Sequence, residues 1–475
     1  MCSWSALNTR GLHRGPGVLL PFGLDRSSEG RYHSSGPLAR LRPNPTFQRR
    51  SPRFDGVQPV TPVFLELRLA VKLGGAATPL SLLRQRNFGL VWSAITLAHL
   101  GAQMETLVVV WYVLNLTDSP FLVGLTATAR LGFNFLALFA GATADLVPRR
   151  ILLAIVQFIM AGLSVIMLTL IATGLMEVWM VFAITLAVGL VRIFQMPTAQ
   201  SLAVDSVEPE RTSNAIALAS AGMNIALLAG PLLGGILFDL VGPDGAYVLV
   251  AGFYGVSGLA ALGVGKTRVT VPEKRESVLS TVKQGLKYVK GEQLLWAALV
   301  VAVIINITGF SFHTTMLPIF ARDVLDRDSV GLGILISCFG GGALIGSVIW
   351  ASIPNLRHAG ILCVLSVIGW HGTMIVFAAS TNFVLSAGIL VLTGTMFSST
   401  LVLILTVLMQ TAMPEYRGRI MGLRTLAIYA HAFGSLAAGA VAGWVGAPAT
   451  ATISGSLGIA MVITLALIAP KFRRF

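Results

Sequence analysis

Residues 88–114 read FGLVWSAITLAHLGAQMETLVVVWYVL, and Glu105 is the one formally charged side chain among them. As a helix at about 1.5 Å per residue the stretch is about 40 Å long, enough to cross the roughly 30 Å hydrocarbon core of a bilayer. Outward from it, comparable runs recur at 121–143, 151–174, 178–199, 213–239, 246–264, 294–320, 329–353, 360–379, 382–412, 419–445 and 449–468. The pattern predicts an all-α polytopic membrane protein with twelve transmembrane helices. Composition agrees: 55% of the 475 residues are hydrophobic and 11% are charged, against about 25% charged in an ordinary soluble chain.

Charge placement indicates the partners. Of 34 Lys and Arg, 13 precede Phe88, 16 fall in alternate connections and the C-terminal tail, and only Arg322 and Arg327 occupy the connections between. The remaining three, Arg130, Arg192 and Arg424, lie inside apolar runs. This is the positive-inside pattern, not a nucleic-acid-binding face, in spite of the net charge of +14. The expectation is a cell (inner) membrane protein with the bilayer as partner and both termini cytoplasmic. Cys2, Cys338 and Cys363 are too few and too scattered for a disulfide framework or a metal site.

Residues 1–80 hold nine of the 21 prolines and most of the Arg excess. A disordered basic tail, a targeting segment and a start codon placed too early all fit that composition. The longest internal connection, 265–293, carries seven Lys or Arg and places Val278, Val282, Leu286 and Val289 at helical spacing. It reads as a cytoplasmic linker with an amphipathic helix on the membrane surface. It separates six-helix bundles at 81–264 and 294–475. VEPERTSNAIAL from 207 and AMPEYRGRIMGL from 412 share Pro, Glu and Leu at an offset of 205, and VGL recurs at 123 and 330. Duplicated halves give a transporter a site at their interface.

The connection 141–150 reads GATADLVPRR. An acid at a helix end followed by two cations can form a charge-assisted latch that holds one conformation closed. At this point the chain resembles the major facilitator superfamily, whose loop has the pattern G-x-x-x-D-R-x-G-R-R. Gly141, Asp145, Arg149 and Arg150 match it; Leu146 and Pro148 depart. A plain basic anchor is the other reading of the same residues. Residues 222–235, GMNIALLAGPLLGG, place Gly230, Pro231, Gly234 and Gly235 where small residues pack helices backbone to backbone and a proline opens the ladder. The string resembles the superfamily's fifth-helix motif of antiport exporters. RQRNFGLVW, LTDSPFLVGL, FQMPTAQSLAVDSV, MLPIFARDVL and MPEYRGRIMGL together resemble the branch of enterobactin and macrolide exporters. That resemblance implies a proton-driven carrier that expels small molecules by alternating access.

Charges inside spans are costly and need a partner or a wet cavity. Glu105 lies about 25 Å from the inner end of its helix. It could take the coupling proton, pair with a cationic cargo or reach the outer surface. In the resembled branch an acid is usual near Ala102, which here is apolar. Arg130 and Arg192 could bind an anionic cargo or pair with Glu105, and Arg192 and Arg424 lie close enough to the cytoplasm to snorkel. Of the intramembrane histidines His99, His313, His371 and His431, His313 ranks first, because the seventh helix lines the cavity in this superfamily. Asn134, Asn224 and Asn306 could line a cavity or bond between helices. No phosphate-binding GxxxxGK[ST], HExxH, CxxC or GxSxG string occurs, so neither ATP hydrolysis nor another enzymatic activity is indicated, and no cofactor or metal is expected. The leading expectation is a monomeric secondary carrier that exports small, amphiphilic molecules against protons. A membrane-embedded enzyme or lipid-handling protein, or a non-transporting sensor or scaffold of the same fold, would be the alternative.

Overall fold

A computed structural model describes residues 79–132, 147–265, 278–353, 356 and 358–475. Residues 1–78 of the tail, Asn134, Gly141 and Asp145 lie outside the described residues; among the described residues every regular element is a helix.

α1 (Arg86–Thr117) carries the opening apolar stretch and ends at Asp118, whose φ of 51° turns the chain in the left-handed region. α2 (Pro120–Leu131) begins with proline at its first position and with Ser119 Oγ accepting from the Leu122 N–H, which satisfies an otherwise free amide. α3 (Arg149–Ala172) and α4 (Val178–Asp205) follow. The spans expected at 213–239 and 246–264 are one helical run, Thr212–Leu262, broken at Gly242, where φ is 78°. Glycine enters that region without strain and Pro243 has no N–H to leave unpaired, so a single residue reverses the path between α5 (212–241) and α6 (243–262). α7 (Gln293–Val324) contains wide π-helical turns at Phe312–Met316 and Phe320–Val324. α8 (Ser329–Ala351), α9 (Ala359–Ala378), α10 (Phe383–Thr411), α11 (Pro414–Val445) and α12 (Ala447–Ile468) complete the bundle. Ten stretches of the described residues are long and apolar enough to cross a membrane. With α5 and α6 separated, and with α2, which is cut short where description stops, they make the expected twelve.

Glycines set the packing. A Cβ on Gly230 would lie 2.6 Å from Gln103 Cβ of α1, and one on Gly235 would lie 2.2 Å from the Ser329 carbonyl of α8. The fifth-helix motif therefore packs on both sides: Gly230 and Gly234 receive α1, while Gly235 and the Pro231 carbonyl receive α8. Gly124 of α2 and Gly439 of α11 face each other, and Gly394 of α10 lies under the Phe339 carbonyl of α8. The linker helix, Val278–Gly291, buries Val289 and stacks Tyr288 on Tyr416 at 4.2 Å, leaving Lys283, Lys287 and Lys290 exposed.

The bundle has two unlike ends. One holds the turns after α1, α3, α5, α7, α9 and α11 and is called the short-turn end; the other holds Arg149, Arg150, Arg211, Arg417 and Arg419 and is called the basic end. Hydrogen bonds joining α1–α6 to α7–α12 gather towards the short-turn end: Thr128 Oγ1 to the Ala432 carbonyl at 2.8 Å, Ser329 Oγ to the Gly235 carbonyl at 2.9 Å, and Ser337 Oγ to the Leu228 carbonyl at 2.7 Å. A cleft of about 400 Å³ opens between α4 and α5 near Arg149, Asp205 and Met223.

Gly394→Val, whose Cβ would sit 2.0 Å from a carbonyl oxygen, is expected to destabilise the purified protein by about 1–3 kcal/mol. Gly388→Val on the same helix, with nothing within 4 Å, is expected to leave thermal unfolding nearly unchanged.

Candidate functional site

A glycine one turn before Glu105 sets its contact with α6. Gly101, one turn earlier on α1, lets α6 approach: a Cβ there would lie 3.4 Å from Phe253 Cβ and 3.5 Å from the Val250 carbonyl. The approach brings Tyr254 within reach, and its O–H donates to Glu105 Oε2 at 2.9 Å. From α2, Arg130 Nη2 donates to the same oxygen at 3.3 Å and to the Ala102 carbonyl at 3.1 Å. Glu105 is 4% exposed and Arg130 8%, so neither is solvated and each depends on the other for charge compensation. Arg130 Nη1 has no partner among the described residues.

Gly189 on α4 rests on the backbone of Arg130, where a Cβ would meet its carbonyl oxygen at 2.6 Å. This contact sets Arg192 within electrostatic reach of Arg130, Glu105 and Tyr254. Arg192 is half-buried and makes no hydrogen bond among the described residues. The structure thus joins Glu105 directly to Arg130 and places Arg192 nearby without a direct bond. Chemically the cluster offers one buried carboxylate whose Oε2 accepts from both an arginine and a phenol.

His313 belongs to a different cluster. Gly309 makes room for Trp370, whose ring a Cβ there would approach to 2.8 Å. The imidazole lies against Phe339 with ring centroids 3.7 Å apart and runs nearly parallel to Trp370 at 6.0 Å, with Phe397 closing a third side. Neither ring nitrogen of His313, nor Trp370 Nε1, has a partner among the described residues. The other histidines of these spans are bonded: His371 Nε2 with Thr308 Oγ1 at 2.8 Å, and His431 Nε2 with Thr314 Oγ1 at 3.1 Å. Asn306 is buried and donates to the Ala302 carbonyl of its own helix at 2.7 Å, which leaves its Oδ1 without a partner among the described residues.

At the basic end Arg149 forms an ion pair with Asp205 at the end of α4, and Arg150 Nη1 donates to the Val264 carbonyl after α6 at 2.8 Å. The string FQMPTAQSLAVDSV contained Asp205, but nothing local in it pointed to a partner 56 residues away. Tyr254 carried no sequence signal beyond lying on an apolar helix.

Among curated proteins, the Staphyloferrin A transporter of Staphylococcus aureus (strain NCTC 8325 / PS 47) is 23% identical over 278 residues, which cover 57% of this chain and 68% of that protein. Among solved structures, a bacterial homologue of the human lysosomal transporter Spinster, in an inward-facing and unoccupied conformation, superposes with a TM-score of 0.62 at 14% identity, covering 81% of this chain and 95% of that one. The nucleoside transporter NupG superposes with a TM-score of 0.61 at 14% identity over 80% of this chain and 99% of its own. Residues 77–474 match the family described as transmembrane secretion effector, and the protein belongs to that family of major facilitator transporters.

Proposed function

We propose that the protein is a secondary carrier that exports small, amphiphilic molecules from the cytoplasm across the cell membrane in exchange for protons. The observation that carries the proposal is a carboxylate held inside a transmembrane helix by one arginine and one tyrosine. A membrane protein tolerates such a group where it is used, because each uncompensated charge costs several kcal/mol in the bilayer. Protonation of Glu105 removes the negative charge that Arg130 faces in a medium of low dielectric, a change large enough to bias one arrangement of the spans over another. The family's description as a secretion effector supports the outward direction.

In this reading the basic end faces the cytoplasm, as the positive-inside rule requires. Glu105 takes the proton, Arg130 and Tyr254 respond to it, and Arg192 extends the polar surface along α4. The rings around His313 supply an apolar wall suited to the hydrophobic part of a cargo. Alternating access turns the two six-span halves about this midplane region, and a single chain carries the whole cycle.

Cells producing the protein are expected to accumulate less of its cargo from a panel of amphiphilic dyes and drugs, and a protonophore is expected to abolish the difference. Unchanged accumulation across a broad panel would remove the export reading. Glu105→Gln leaves Arg130 buried without a counter-charge and is expected to cost about 3 kcal/mol of stability as well as transport. The double variant Glu105→Gln/Arg130→Gln removes both charges, so thermal unfolding should recover much of that loss while pH-dependent transport does not return. Tyr254→Phe is expected to keep transport but to shift its pH profile.

A further inference from the structure

Arg322 of α7 reaches across the boundary between the halves at the short-turn end. Its Nη1 donates to the Leu114 carbonyl at 2.8 Å and to Asp118 Oδ1 at 2.7 Å, both at the end of α1, while its Nε donates to the neighbouring Asp323 at 2.6 Å. We propose that Arg322 and Asp118 are the gating residues of the outer side, a clasp between α1 and α7 that must open each time the carrier turns its site outward. This rests on the reading of the protein as an alternating-access carrier.

Three features fit the clasp to that task. The acceptors come from a helix C-terminus, where the last carbonyls lack intrahelical partners and the dipole favours a cation. Asp118 adds a full negative charge there, turned into place by its left-handed backbone. The donor sits in the π-helical turn Phe320–Val324, whose wider winding rotates side chains off the register of a regular helix. Finally, the Asp118 side chain is 84% exposed and that of Arg322 24%. Water can replace either partner at little cost, so the clasp favours closure without making it permanent.

The clasp is also specific. Arg327 is the other cation on this end, and it lies over the ring of Phe383 at 5.1 Å, which belongs to α10 of its own half. Removing it takes the same charge from the same end without touching the boundary. At the same end of the boundary, where α8 meets α5, Ser329 is 2% exposed and bonded to the Gly235 carbonyl, so its side chain becomes accessible from outside when the halves part at this end.

The test uses Ser329→Cys as reporter in the full chain, with Cys2, Cys338 and Cys363 replaced by alanine, labelled in intact cells by a membrane-impermeant maleimide. Arg322→Ala and Asp118→Asn are expected to raise the labelling rate on the order of fivefold. Arg322→Lys, which keeps the charge and loses the forked donor, should fall between, and Arg327→Ala should match the parent. Labelling after solubilisation in denaturant reports the amount of each variant, so a poorly produced protein is not mistaken for a closed one. Arg322→Ala or Asp118→Asn labelling no faster than Arg327→Ala would overturn the proposal. The readout needs no cargo. An unclasped outer end in a chain that moves nothing would count against the carrier reading and leave the clasp standing.

Discussion

Lipid tails are as apolar as leucine, so spans in a bilayer gain little by hiding hydrophobic surface from one another, and this bundle depends instead on close backbone approach at small residues. Gly124 against Gly439, Gly235 against Ser329, and Gly394 against Phe339 each bring a main chain to where a side chain would collide. The polar site is a product of the same contacts. Gly101 admits α6 and with it the Tyr254 phenol, and Gly189 admits α4 and with it Arg192. Were either position larger, Glu105 would keep its place on α1 and lose part of its surroundings.

The two halves divide the chemistry unequally. The first six spans hold a buried carboxylate paired with an arginine, with a second arginine nearby. The last six hold rings and hydroxyls: His313 among Phe339, Phe397 and Trp370, and histidine–threonine bonds at His371 and His431. Polar groups in one half and aromatic groups in the other suit a molecule with both characters, such as the amphiphilic cargo proposed.

The spans and the segregation of charge were legible in the sequence because hydropathy and loop composition are local properties. The packing of Gly230 and Gly234 on α1 was legible for the same reason, since four-residue spacing puts them on one face, whereas the turn of Gly235 towards α8 was not. Distances along the chain hid the rest. Tyr254 is 149 residues from Glu105, and Arg322 is 204 from Asp118, so no window of sequence contains either pair. Arg130 and Arg192 both stood as candidates to meet Glu105, with Arg130 ahead, and only the fold shows that Arg130 makes the bond while Arg192 stays nearby. The length of the α5–α6 connection was overestimated because Gly-Pro marks a turn without fixing how many residues it uses.

α1 carries both the proton-accepting residue proposed here and the outer clasp. Leu114 is nine residues beyond Glu105, roughly 14 Å along a rigid helix. Arg130 bonds to the Ala102 carbonyl as well as to Glu105. In the proposed cycle, neutralising Glu105 removes a charge and leaves α2 bonded to α1 through the Ala102 carbonyl. Its effect on the other half is then exerted where these two helices meet that half. Among the described residues those meeting points include the Arg322 clasp, the packing of α1 and α2 on the Phe312–Ile319 stretch of α7, and the glycine contact and Thr128–Ala432 hydrogen bond of α2 with α11. The glycine contact is tight and uncharged, while the clasp is solvated and reversible, so the clasp is the contact that a small tilt of α1 breaks first.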